Sequence, residues 1–138
     1  MWKRSKPAVI EAETTAKVLL ITKDEQYSSR WKKLFIARGW QLSCSETLAH
    51  AMNTLLTHPY PVVVYDCHPE SEEWRDAVSA LAKTPGSPCI LLTSNVIDEN
   101  FKDEVVRLHG YDVFPVHADE DEIVRTINSA WFWKHRHA

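Results

Sequence analysis

The sequence predicts a doubly wound α/β domain, and three observations carry that prediction. Short apolar runs alternate with stretches of helical period, which is the pattern of βαβ units and a mainly parallel sheet covered on both faces. Polar residues gather at the C-terminal end of run after run. Two of the five runs differ from the others in a way that places them at the sheet edges.

The first run, Val18-Leu19-Leu20-Ile21, stops abruptly at Thr22-Lys23-Asp24-Glu25. From about Glu25, the residues Tyr27, Trp31, Leu34 and Phe35 recur at helical spacing, and Gly39 follows where a left-handed C-cap sits. Trp40-Gln41-Leu42-Ser43-Cys44 alternates, as a strand covered on one side or lying at an edge does. Ser45 is placed to cap a second helix, with Leu48, Ala51, Met52, Leu55 and Leu56 on its apolar stripe.

His58-Pro59-Tyr60-Pro61 ends that helix and leads into Val62-Val63-Val64-Tyr65-Asp66, a run that reads as a strand buried on both faces. A third helix is expected from about Ser71, with Trp74, Ala77, Val78 and Leu81 inward and acids in its first turn. The turn cluster Thr84-Pro85-Gly86-Ser87-Pro88 delivers a fourth strand, Cys89-Ile90-Leu91-Leu92-Thr93, followed by Ser94-Asn95. A fourth helix near Asp98 to Leu108 carries Phe101, Val105 and Leu108 and ends at His109-Gly110. Tyr111-Asp112-Val113-Phe114-Pro115-Val116 makes a weaker fifth strand. A last helix, opened by acids at Asp119 to Glu122, turns Ile123, Ile127, Ala130 and Trp131 inward.

The alternating second strand and the proline in the fifth belong at edges, because proline donates no ladder hydrogen bond. The resulting strand order is 2-1-3-4-5, in which ligands bind beyond the strands' carboxyl ends near the switch point between strands one and three. One rim therefore collects Thr22-Lys23-Asp24, Asp66-Cys67-His68, Thr93-Ser94 and Val116-His117. Residues 1–16 read as a flexible arm, 17–134 as the domain and 135–138 as a short basic tail.

Composition narrows the function. The 138 residues carry a net charge of −3 as interspersed charges, so nothing predicts a footprint for nucleic acid or for a membrane surface. Cys44, Cys67 and Cys89 are odd in number and form no Cys-x-x-Cys pair, which suits a reducing compartment. There is no apolar run of membrane-spanning length, and Met1-Trp2-Lys3-Arg4-Ser5-Lys6-Pro7 lacks the apolar core of a secretion signal. A cytoplasmic location is expected. Asp66-Cys67-His68 offers no metal site, since neighbours on a strand end point to opposite faces and no third ligand follows from spacing. The aromatics Trp131-Phe132-Trp133 cannot all face inward on one helix, so at least one is exposed or meets a partner.

Over about residues 17–134 the chain resembles a response-regulator receiver domain, in an atypical, stand-alone form. Asp66 stands at the family's phospho-acceptor position, Thr93 at its Ser/Thr switch position, and Gly110-Tyr111-Asp112-Val113 resembles the approach to strand five. The resemblance implies the flavodoxin-like fold and a cytoplasmic role in two-component phosphorelay signalling, with no enzyme activity of its own. It also implies protein partners, either a sensor kinase or a downstream signalling protein, and a homodimer through the last helix as one arrangement.

The family's two adjacent acids, which hold Mg²⁺, are here Thr22 and Lys23. Its strand-five lysine is Val116, with His117 beside it, and its switch aromatic is Val113. Mg²⁺, a hard cation that takes oxygen ligands, is left with little besides Asp66, so no cofactor is expected. Lys23 is expected to pair with Asp66 and stand where the metal would sit. Losing metal and lysine together removes most of the charge stabilisation that phosphoryl transfer uses, although Lys23 could still steer a donor.

Three functions follow. The first is a signalling module working by protein contact with impaired Mg²⁺-dependent phosphorylation. The second is a working phosphorelay receiver with Asp66 as acceptor. The third is a small-molecule binder on the same fold. Against the third, Gly39, Gly86 and Gly110 are the only glycines and none lies in the turn after strand one.

Overall fold

The computed structural model describes residues 15–68 and 73–136. Five parallel strands alternate with five helices: β1 Lys17–Ile21, α1 Glu25–Arg38, β2 Gln41–Ser45, α2 Leu48–Thr57, β3 Val62–Asp66, α3 Glu73–Ala82, β4 Cys89–Ser94, α4 Glu99–Arg107, β5 Asp112–Pro115 and α5 Glu120–Arg136. The sheet order is β2-β1-β3-β4-β5, so the alternating strand and the proline-bearing strand are the two edges. At the β5 edge, Pro115 pairs with Ser94, and the ladder continues through the Val116 N–H to the Ser94 carbonyl at 3.0 Å.

The strands' period of two builds two cores. On one face Val18, Leu20, Val62, Val64 and Leu91 meet α1 and α5 through Tyr27, Trp31, Phe35, Ile123 and Ile127. On the other, Leu19, Val63, Ile90 and Leu92 meet α2, α3 and α4 through Leu55, Trp74, Leu81, Phe101 and Val105. The first core is aromatic. Trp31 is fully buried, stacked at 5.8 Å on Phe35 and 6.2 Å from Phe114, and its truncation to alanine removes about 3–5 kcal/mol.

Local chemistry sets the helix ends. Asp24 caps α1 by accepting the Tyr27 N–H at 3.1 Å, and Gly39 closes it at φ 73° with its N–H on the Ile36 and Phe35 carbonyls. The cap of α2 is Thr47, which accepts the His50 N–H at 3.1 Å, and not Ser45. Ser45 is instead the last residue of β2, in register with Ile21, and its Oγ lies 2.8 Å from His50 Nδ1. Leu56, expected on the inward stripe of α2, is 63% exposed, because the sheet takes Ala51 and Leu55 and the ten-residue helix turns Leu56 away.

Ala16, placed in the arm by the sequence, is buried, and its carbonyl accepts the Gln41 N–H at 2.9 Å. Residues 1–14 of that arm lie outside the described residues, as do Ser71 at the expected start of α3 and the last two residues of the expected basic tail. The other two tail residues, His135 and Arg136, belong to α5. Among the described residues no helix is long and apolar enough to cross a membrane.

Candidate functional site

The alternation that fills the α1/α5 core continues for one more step at the strand ends. Two residues beyond Leu20, Val64 and Leu91 come Thr22, Asp66 and Thr93, which therefore stand side by side on the same face. Register brings them level: Asp66 pairs with Thr93, and Ile21 pairs with Tyr65 one residue earlier. The Cys67 N–H to the Thr93 carbonyl (2.8 Å) and the Thr22 N–H to the Ser45 carbonyl (3.0 Å) extend the ladder past the strand ends and hold the rim.

The half-buried Asp66 carboxylate accepts one hydroxyl on each oxygen. Thr22 Oγ1 donates to Oδ2 at 2.7 Å, and Thr93 Oγ1 donates to Oδ1 at 3.2 Å. Thr22 is only 6% exposed, and its Oγ1 also accepts the Asp24 N–H at 3.1 Å, so its single proton is directed at Asp66. Asp66 thus ties the ends of β1, β3 and β4 together through two neutral donors.

Lys23 is not the partner of Asp66. One residue beyond Thr22, its side chain takes the other side of the chain, is exposed, and among the described residues makes no ion pair with Asp66. It lines a cleft of about 640 Å³ that runs from Asp66 past Glu46 and Leu48 to Trp74. His68 is exposed and also lines the cleft, whereas Cys67 is buried in the α2/α3/α4 core. Val113 is buried in that same core, Val116 packs half-buried against the opposite one, and His117 is exposed.

Tyr27 is a site residue that the strand pattern could not supply. Its ring is 6% exposed on α1, and its hydroxyl lies beside Thr93 and the Trp31 indole without a hydrogen bond of normal geometry. Burial, and to a lesser degree the Asp66 charge, push its phenol above the usual range, against the lowering effects of Thr93, Trp31 and Arg30. The helical spacing of Tyr27 and Trp31 marked an inward face; that this face reaches the rim is a tertiary fact.

The donor set does not fit Mg²⁺. One carboxylate remains, with a threonine proton on the oxygen nearest β1, and an ammonium shares the rim. Asp24, the next acid along, is committed to capping α1. No group of three or more His, Cys, Asp and Glu side chains among the described residues is placed to hold a metal ion.

No protein-family model matches the chain, and no curated protein matches it. Solved structures do. A signal receiver domain from Vibrio parahaemolyticus superposes with a TM-score of 0.77 at 10% identity, covering 88% of this chain and 94% of its own. The receiver domain of the Francisella response regulator 1452 superposes at 0.73 with 20% identity, covering 84% and 96%. An orphan response regulator of Helicobacter pylori, HP1043, gives 0.73 and 16%, covering 86% and 98%. The chain has the fold of response-regulator receiver domains.

Proposed function

We propose that this chain is a receiver-type signalling module that acts through protein contact and does not rely on Mg²⁺-supported phosphorylation of Asp66. The observation that carries this reading is the Asp66 carboxylate held by the Thr22 and Thr93 hydroxyls at 2.7 and 3.2 Å, in the place where a metal-dependent acceptor needs further acids. Phosphoryl transfer depends on positive charge placed where negative charge develops. Here the donor set around Asp66 does not suit a divalent ion, Val116 stands where a lysine would supply charge, and Lys23, which lines the same cleft as Asp66, makes no ion pair with it.

On this reading the domain is not an enzyme, works in the cytoplasm, and meets a sensor kinase or a downstream signalling protein rather than nucleic acid or membrane. Phe132 and Trp133, 44% and 42% exposed on α5, are the anchors for that contact, whether with such a partner or with a second copy. The test restores the missing acids. The Thr22→Asp, Lys23→Asp double variant is expected to bind Mg²⁺ in a calorimetric titration, while the unaltered chain shows no binding heat. Mg²⁺ binding by the unaltered chain would overturn the proposal.

The cleft of about 640 Å³ favours one second reading, a small-molecule site beside Asp66, because its size lies within the range of ligand pockets. A thermal-shift screen with nucleotides and flavins distinguishes it: a saturable rise in melting temperature supports it and a flat response removes it.

A further inference from the structure

The two ends of the sheet differ in charge, which the net charge of −3 conceals. Helices begin at the Asp66 end, so their first-turn acids gather there: Glu25, Glu73, Asp76, Glu99 and the run Glu120, Asp121, Glu122. Helices finish at the opposite end, which receives the last-turn cations Arg38, Arg107, Lys134 and Arg136. Lys17, opening β1, adds a charge there, and Asp112, opening β5, opposes it. Complementing helix dipoles explains why each charge is tolerated. It does not explain a pocket in their midst.

That pocket, of about 270 Å³, is lined by Pro59, Tyr60, Pro61, Gly86, Lys134 and His135. It is smaller than a typical drug-sized site and suits a single anchoring side chain. Its walls are fixed. Lys134 Nζ donates to the Gly86 and Ser87 carbonyls at 2.5 and 2.9 Å, tying α5 to the turn before β4. Tyr60 shares a 2.6 Å hydrogen bond with Ser43 Oγ, and Lys17 Nζ lies 4.9 Å from the centre of its ring. Gly86 has φ 86°, and a Cβ there would come within 3.6 Å of Pro59 Cβ, so this turn lies directly against the proline. Walls set before binding reduce the ordering cost of a guest. Just before Lys134 on α5, Phe132 and Trp133 are exposed, and Trp133 meets Tyr111 at 5.7 Å.

We infer that this end of the domain is a docking surface for an acidic peptide segment of a partner protein, with one apolar side chain in the pocket and flanking carboxylates against Lys17 and Lys134. Charge complementarity selects the acidic segment, and the apolar walls select its anchor. Nucleic acid fits less well, because one small, largely apolar pocket offers no row of phosphate contacts along a backbone. The surface lies at the far end of the sheet from Asp66, so it is independent of any chemistry at that carboxylate.

The test uses the full chain, labelled with ¹⁵N, titrated with the acetylated peptide Asp-Glu-Asp-Phe-Asp-Glu. The expected result is saturable shifts at the Gly86 amide and the Trp133 indole, with affinity falling about tenfold as ionic strength rises several-fold. Replacing the peptide's phenylalanine by serine is expected to weaken binding at least about tenfold, as one lost buried anchor does. Lys134→Glu is expected to abolish the shifts. Should that variant fail to fold, Lys17→Glu, which leaves the ties to Gly86 and Ser87 intact, is expected to weaken binding several-fold. The inference is overturned if no saturable shift appears, if the serine peptide binds equally, or if the shifts centre on the Asp66 cleft. It is also overturned if the chain ignores the peptide and binds phosphatidylserine vesicles, which would assign the surface to membranes.

Discussion

Replacing Thr22 by valine keeps the shape of the side chain and removes one hydroxyl. That hydroxyl donates to Asp66 Oδ2 at 2.7 Å and accepts from the Asp24 N–H at 3.1 Å. A hydrogen bond to a charged group contributes about 1.5–3 kcal/mol net, and water reaching the half-buried carboxylate recovers part of it, so the expected loss is about 2 kcal/mol. With an unfolding entropy of about 2.1 cal/mol/K per residue, that loss lowers the melting temperature of a 138-residue chain by about 7 °C. The assay is thermal and urea unfolding of Thr22→Val in two backgrounds, unaltered and Asp66→Ala. In the alanine background the same substitution is expected to cost less than about 1 kcal/mol, because the acceptor is gone. An equal cost in both backgrounds would refute the idea that Thr22 acts through Asp66.

Further outcomes follow from the same geometry. Tyr27→Phe removes a buried hydroxyl without a well-formed partner and is expected to stabilise the domain by about 1 kcal/mol in urea unfolding. The Cys89 thiol is pushed up to about 12 by burial, so the folded chain keeps a proton that the unfolded chain releases near the ordinary value of 9.0. Stability is therefore expected to fall between those two pH values by about 1.4 kcal/mol per pH unit from this group, and the slope is expected to be shallower in Cys89→Ala. Gly110→Ala places a methyl 2.5 Å from Val105 Cγ1 and 3.0 Å from its carbonyl oxygen, and is expected to cost about 1–3 kcal/mol in the same unfolding assay.

Much of the fold was legible because the signals were local. The apolar runs ended where backbone pairing ends, and β3 spans the residues expected, Val62–Asp66. Proline and alternation identified the edges. The differences share a cause: each rests on a shift of one or two residues or on a contact between distant elements. Ser45 and Thr47 are both capable caps, and only the pairing of Ser45 with Ile21 decides that the strand claims the first. Lys23 attracted the assignment as partner of Asp66 because opposite charges attract. The strand's period of two puts Thr22 on that face instead, a count that Leu20 already allowed. The approach of Tyr27 to Thr93 depends on how α1 lies across the sheet, which no local pattern encodes.

The central claim is that Asp66 is a braced carboxylate and not a working phospho-acceptor. Its most direct test is intact-mass measurement after incubation with acetyl phosphate and Mg²⁺, on the unaltered chain and on Asp66→Asn. No phosphoryl adduct is expected on either protein. A single adduct on the unaltered chain, lost in Asp66→Asn, would contradict it and make this domain a functioning acceptor.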